Sequence, residues 1–158
     1  MINKYSCINI YEDKKKYSKL SSQILYGEKF TILKRYKDWY KIKTSYDKYI
    51  GFIKKKKFES YVFKPTHKVS SLKAKVFLKP YKTSKVRMKL SFTSLIQVKS
   101  SNKGFFNFDN YWIQKSDVVP LNYKEKIFQR IKIFRNVKYK WGGKRFDGVD
   151  CSGLIQLF

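Results

Sequence analysis

Residues 39–53 run Trp39-Tyr40-Lys41-Ile42-Lys43-Thr44-Ser45-Tyr46-Asp47-Lys48-Tyr49-Ile50-Gly51-Phe52-Ile53. Apolar side chains recur through Trp39–Lys43 and again through Tyr49–Ile53, with the turn-prone Ser45-Tyr46-Asp47 between them. The pattern predicts two short strands joined by a turn. Working outward, Lys29–Lys34 alternates in part and Ser6–Tyr11 alternates, with Tyr26-Gly27-Glu28 and Tyr36-Lys37-Asp38 as breaks. Several short strands at this spacing predict a sandwich or small barrel. The aromatic content of 18%, with 13 Tyr and 13 Phe, supports a β protein. Aromatics favour strands, and a small barrel needs large side chains to fill its core.

The pattern returns. Ala74–Pro80 mirrors the stretch from Asn9 to Tyr11, Ile96-Gln97-Val98 mirrors Phe30-Thr31-Ile32, Phe105–Phe108 mirrors Trp39–Ile42, and Tyr111-Trp112-Ile113 mirrors Gly51-Phe52-Ile53. The step from Ile10 to Val76 is longer than the step from Phe52 to Trp112, as a shorter loop in the second copy would produce. Matching order across four segments predicts an internal repeat. Residues 1–63 form the first copy and 64–120 the second, with Lys64-Pro65-Thr66-His67-Lys68 as the linker between them.

Each copy resembles a bacterial SH3 domain. The features that carry this are the apolar pair before a long loop, Gly27-Glu28-Lys29-Phe30-Thr31-Ile32, the Asp38-Trp39 pair, and Asp47-Lys48-Tyr49-Ile50-Gly51-Phe52-Ile53. The second copy lacks both the Gly-Glu and the Asp-Trp pairs.

After Pro120 the period changes. Asn122-Tyr123-Lys124-Glu125 has the form of a capping box, and Ile127, Phe128, Ile131 and Phe134 recur at helical spacing. A helix packed on a core and stopping near Asn136 is predicted. The chain closes with Tyr139-Lys140-Trp141-Gly142-Gly143-Lys144-Arg145-Phe146-Asp147-Gly148-Val149-Asp150-Cys151-Ser152-Gly153-Leu154-Ile155-Gln156-Leu157-Phe158. The glycines mark a loop. Cys151 falls where that loop becomes a helix, with Leu154, Ile155 and Phe158 expected to point inward. A thiol at a helix start is favoured as thiolate, the nucleophilic form. The backbone N–H groups of Cys151 and Ser152 could serve an oxyanion, and Tyr139 could donate a phenolic hydrogen bond. Residue types alone leave two readings open: a nucleophile site, or a structural cysteine in a glycine-rich turn.

Tyr139-x-Trp141-Gly142-Gly143 followed by Gly148-x-Asp150-Cys151-Ser152-Gly153-Leu154 resembles the nucleophile motif of the NlpC/P60 cysteine peptidases. Two SH3-like modules ahead of it are similar to the γ-D-glutamyl-L-diamino acid endopeptidases of that family. The resemblance implies a mainly β chain: two small SH3-like β-barrels, then the first helices of a papain-like α+β catalytic domain at 121–158. It implies hydrolysis of peptidoglycan stem peptides at the γ-D-Glu–diamino acid bond, on a ligand such as L-Ala-γ-D-Glu-diamino acid, without cofactor or metal. In these terms Cys151 is the nucleophile, Asp150 and Ser152 shape its surroundings, and Tyr139 lines the site. The first SH3 domain would read the free N-terminus of the substrate, with Glu12 and Tyr49 as candidates. Both are equally well read as ordinary surface residues.

The resemblance also implies a histidine base downstream of the cysteine. The sequence has one histidine, His67, in the expected linker. It reads as a linker residue rather than a displaced base. The 158 residues therefore read as the nucleophile half of a site, with little activity expected of them alone and with Leu154–Phe158 expected to lack a core. A non-catalytic SH3-like module binding wall peptide or a protein is the competing reading.

The net charge of +26 admits a polyanionic partner or simply a solvated surface. Lys54–Lys57 is the dense block, lysines are otherwise spread along the chain, and arginine is scarce. That distribution favours the solvated surface and argues against nucleic acid. Two cysteines make no disulfide framework, and Cys7 is expected to be a small buried or half-buried residue. The N-terminus shows no apolar signal segment and the chain no membrane span, which favours the cytoplasm.

Overall fold

A computed structural model describes residues 1–60, 62–124 and 126–158. The first β unit holds β1 (Cys7–Tyr11), β2 (Leu20–Leu25), β3 (Phe30–Arg35), β4 (Trp39–Thr44) and β5 (Ile50–Lys54). They form one antiparallel sheet ordered β2-β1-β5-β4-β3. Alternation does the folding: Ile8, Ile10, Tyr40, Ile42 and Ile53 point into one core with Ile24 and Phe30, while their neighbours face out.

In the second unit β6 (His67–Val69), β7 (Lys73–Phe77), β8 (Val86–Ser91), β9 (Leu95–Ile96), β10 (Ser100–Asn102), β11 (Phe105–Phe108), β12 (Tyr111–Gln114) and β13 (Val118–Pro120) follow. Five of them form a sheet ordered β10-β11-β12-β7-β8, the same permutation as the first. Matching pairs recur in register. Tyr11 opposite Phe52 returns as Phe77 opposite Trp112. The bridges of Ile2 to Lys29 and Glu59 return as the pairs of Lys68 with Leu95 and Val119. Ile2, Tyr11 and Lys29 thus map onto Lys68, Phe77 and Leu95 by one constant step, and Phe52 and Glu59 onto Trp112 and Val119 by a shorter one.

Two sequence expectations change here. His67 and Lys68 are not linker: they lie in β6, paired with Ile96, Pro120, Leu95 and Val119. Ile96 does answer to Phe30 by the same step, but the strand expected to run on through Val98 is split: β9 ends at Ile96, paired with β6, and β10 begins at Ser100, paired with β11.

The two units are locked together. The Tyr26 side chain leaves the first unit and enters the second core, edge-on to Phe108 at 5.7 Å. Its backbone carbonyl accepts from Leu95 N at 2.8 Å. Asp109, in the turn between β11 and β12, accepts from both Tyr26 Oη and Lys4 Nζ.

The last part of the chain is not a long helix. α1 (Ile127–Arg130) is one turn, continued by a 3₁₀ turn at Ile131–Phe134. Lys126 rather than Asn122 occupies the cap position, with no side-chain cap bond; Glu125 of the expected capping box lies outside the described residues. Ile127, Phe128 and Ile131 are exposed, and Phe134 alone of the four periodic residues is buried. Helical spacing marked an apolar face, but a one-turn helix is too short to hold that face against a core. β14 (Lys144–Arg145) and β15 (Gly148–Val149) make a short hairpin, and α2 (Cys151–Gln156) follows.

The closing apolar run is not left bare. Phe158 lies 5.3 Å from Phe92 and 6.2 Å from Phe134, and Leu157 is buried with Leu25, Phe92, Phe134 and Val149. Leu154, Leu157 and Phe158 share the inner face at the i, i+3, i+4 spacing of a helix. Ile155, expected inside, falls on the other face and is 77% exposed. This third core draws on both β units and the last segment, with Cys7 and Leu72 at its margin. No helix among the described residues is long and apolar enough to cross a membrane.

Candidate active site

Asp150 organises the closing segment. It is buried, with extended backbone, and caps α2. Its Oδ1 accepts from Gly153 N at 2.6 Å and from Ser152 Oγ at 2.8 Å. Its Oδ2 accepts from Gly142 N at 2.6 Å. One carboxylate thus satisfies a helix-start donor and ties the helix to the glycine loop upstream of Cys151. Cys151, the first residue of α2, is exposed.

The loop is shaped for this. Gly142 adopts φ +66°, a left-handed conformation that suits glycine. A Cβ on it would meet Leu20 Cγ at 2.9 Å and Leu20 O at 3.0 Å. A Cβ on Gly153 would run into the Gly143 carbonyl. α2 therefore rests directly on loop backbone. Val149 N donates to Lys138 O and Lys140 N to Val149 O, both at 3.1 Å, so the strand carrying Tyr139 runs beside Val149. Tyr139 is 67% exposed and Trp141 is also exposed.

Of the sequence candidates, Tyr139, Asp150, Cys151 and Ser152 come together in this segment. Ser152 acts as an added donor to the cap rather than standing free. Glu12 lies at the start of the loop between β1 and β2, its N–H donating to Lys19 O at 3.2 Å. That loop ends at Leu20, the residue on which Gly142 leans. Tyr49 is half-buried against the first core. Among the described residues no hydrogen bond joins Glu12 or Tyr49 to Cys151. His67 shares a hydrogen bond with Thr66 Oγ1 at 2.9 Å and lies 4.8 Å from the Phe106 ring. Burial holds its imidazole below the usual value. It belongs to the second unit, not to the cysteine.

Sequence reasoning missed three residues beside the site: Lys144, Gln23 and Glu28. Lys144 is 4% exposed, an unusual place for an ammonium. Its N–H donates to Gln23 Oε1 at 2.8 Å, and its Nζ lies 3.4 Å from Glu28 Oε1. Burial pushes the Glu28 carboxyl up, opposed by the nearby Lys144 ammonium. The signal available was a glutamine inside β2 and an acid in a chain with 11 acidic against 37 basic residues. On the neighbouring strand Cys7 has its thiol pushed up to about 11, chiefly by burial, with Arg145 pulling the other way. A groove of about 420 Å³ lies by the far end of α2, between Glu28, Tyr46, Pro65, Leu95 and Phe158; Cys151 does not line it. Among the described residues no cluster of His, Cys, Asp or Glu could hold a metal ion.

Comparison with known proteins bears on the fold. Residues 10–58 match the family model of the bacterial dipeptidyl-peptidase SH3 domain. The crystal structure of an NlpC/P60 family protein from Bacillus cereus superimposes with a TM-score of 0.82 at 15% identity, covering 99% of this chain and 70% of that one. NlpC2 and NlpC1 from Trichomonas vaginalis align over 99% of this chain and 63% and 60% of theirs, at 16% and 17% identity. Their TM-scores of 0.33 are too low to inform the fold. No curated protein sequence matches the chain. The chain thus carries a bacterial dipeptidyl-peptidase type SH3 domain at residues 10–58, within the fold of an NlpC/P60 family protein.

Proposed function

We propose that Cys151 is the nucleophile of a cysteine peptidase acting on peptidoglycan stem peptides at the γ-D-Glu–diamino acid bond. The observation that carries this is the exposed thiol at the start of α2, behind a buried Asp150 that fixes the helix start to the glycine loop. In the reaction the Cys151 thiolate attacks the γ-glutamyl carbonyl carbon. The C–N bond breaks, the amine of the diamino acid leaves with a proton, and water then hydrolyses the thioester. The N–H groups of Cys151 and Ser152, at the helix start, are the donors assigned to the oxyanion. Tyr139 lines the same segment as a phenolic donor.

A general base is needed for this chemistry, and His67 is not placed to be that base. Glu12 and Tyr49 are assigned to the substrate's free N-terminus on the weaker ground that the loop holding Glu12 ends where Gly142 docks. A second reading, in which the SH3-like units bind wall peptide without cleaving it, rests on the match of residues 10–58 to an SH3 domain model.

The test is release of diamino acid from L-Ala-γ-D-Glu-diamino acid by the natural protein carrying these residues, against Cys151→Ala. Abolished turnover in the variant supports the assignment. Retained turnover removes Cys151 from it. Binding of the peptide with no turnover in either protein favours the binding-module reading. Acetylating the substrate's N-terminus should slow cleavage, and equal rates would remove Glu12 and Tyr49 from the site.

A further inference from the structure

The nucleophile segment is poorly equipped to hold its own shape. Its hairpin pairs only Lys144 with Val149 and Arg145 with Gly148, and an isolated hairpin is marginal even at full length. α2 runs only from Cys151 to Gln156, well below the length at which a helix stands alone. Something outside the segment has to hold Lys144 in place.

Two side chains of the SH3 domain do so. Gln23 is 2% exposed and accepts the Lys144 N–H at 2.8 Å. Its own Nε2 donates to Asn9 Oδ1 at 2.9 Å, which fixes the orientation of the amide. Glu28 faces the Lys144 ammonium with one oxygen, while the other accepts Leu25 N at 2.7 Å. Both are thus anchored to the β1–β2 ladder before they touch the loop. From Lys144 the chain of support is short. Gly143 precedes it and carries the carbonyl on which Gly153 rests. Gly142 comes next, leaning on Leu20 and donating to Asp150. Asp150 caps the helix that begins with Cys151.

We infer that Gln23 and Glu28 are positioning residues for the Cys151 nucleophile, holding Lys144 so that the SH3 domain is a structural part of the catalytic loop. Cleavage of the peptide by a catalytic module lacking this domain is then disfavoured for a geometric reason, separate from any contact of the domain with substrate. The inference rests on Cys151 being the nucleophile, and the test separates the two.

Both cysteines serve as reporters. Cys7 of β1 pairs with Leu25 of β2 and lies within reach of Arg145, the residue after Lys144, so its alkylation reports undocking of the loop. Alkylation of Cys151 reports the nucleophile's surroundings. The experiment measures iodoacetamide labelling of each thiol at neutral pH, by peptide mass spectrometry, in the parent, Glu28→Gln, Gln23→Ala and the double variant Glu28→Gln/Lys144→Met. Removing one partner of a buried pair strands the other charge, whereas removing both does not. Expected is a fall of at least about threefold in the Cys151 rate in Glu28→Gln, as the helix start that presents the thiol loses its fixed place, with the same direction in Gln23→Ala. The double variant should return to within about twofold of the parent. An unchanged Cys151 rate in Glu28→Gln overturns the inference, whether Cys7 opens or stays protected. If Glu28→Gln loses its far-ultraviolet circular dichroism, the double variant decides: recovery of both rates supports the inference and failure to recover overturns it. None of these readouts needs peptide turnover, so failure of the peptidase assignment would show only in the Cys151→Ala assay.

Discussion

Replacing Asp150 with alanine removes three hydrogen bonds at once. The cap bond to Gly153 N at 2.6 Å is worth about 1 kcal/mol by analogy with other helix caps. The bond from Gly142 N, also 2.6 Å, is buried, and an orphaned buried donor costs about 1–3 kcal/mol. The Ser152 hydroxyl can turn to solvent and adds little. The loss is therefore about 2–4 kcal/mol, confined to a segment whose third core can open without unzipping either β sheet. At about 1.4 kcal/mol per decade this is a rise of roughly 30- to 700-fold in local opening. Hydrogen exchange resolved to single amides measures it. Protection at Gly142, Gly153 and Leu154 should fall by such a factor, while Ile10, Ile42 and Val76 in the sheets stay protected. Asp150→Asn retains one acceptor and should fall between parent and alanine variant. A change of less than about threefold at Gly142 and Gly153 in Asp150→Ala would refute the account.

Cys7 gives a pH prediction. Its thiol is pushed from 9.0 up to about 11 by burial, so the folded chain holds that proton more tightly than the unfolded one. The contribution is whole below pH 9 and is lost as pH rises through about 11, a loss on the order of 2 kcal/mol. Urea melts of the parent and Cys7→Ala from pH 8 to 11 should therefore converge by about that amount, and parallel curves would contradict it. Gly153→Ala gains about 1 kcal/mol of helix propensity but drives a methyl into the Gly143 carbonyl, a backbone atom that cannot swing away, at about 1–3 kcal/mol or more. A lowered thermal midpoint is expected, and a raised one would show that the loop gives way. Phe92→Ala empties the centre of the third core, where Phe134 lies at 5.7 Å and Phe158 at 5.3 Å. A loss of about 3–5 kcal/mol is expected, with faster proteolytic cutting after Phe134 than within the sheets. Equal cutting rates would place the weak point elsewhere.

Strand periodicity made much of the fold legible. Ile8, Ile10, Ile42 and Ile53 sit at alternating strand positions and are buried. The repeat was visible because the sequence steps from Ile10 to Val76 and from Phe52 to Trp112 are those by which the Tyr11–Phe52 pair becomes Phe77–Trp112. The Cys151 segment was legible for another reason: a glycine loop followed by a cysteine at a helix start is a local arrangement, written in adjacent residues. What misled was the same reasoning applied where context decides. Ile127, Phe128 and Ile131 have helical spacing yet stay exposed. His67 follows Pro65-Thr66 in sequence yet pairs as a strand, because Ile96 and Pro120 arrive from the far parts of the second unit.

By itself, then, the order of side chains determined which segments alternate, that they occur twice, and that Cys151 falls where a glycine loop becomes a helix. Those facts depend on neighbours within a few residues. Only the tertiary structure decided that Gln23 and Glu28 meet Lys144 across 121 and 116 residues of chain, and that Phe92 shelters Leu157 and Phe158. Such contacts depend on how two β units dock, and no local spacing encodes that. The helix start at Cys151 was readable in the closing stretch from Tyr139; the side chains that meet its loop at Lys144 lie near the other end of the chain, in Gln23 and Glu28.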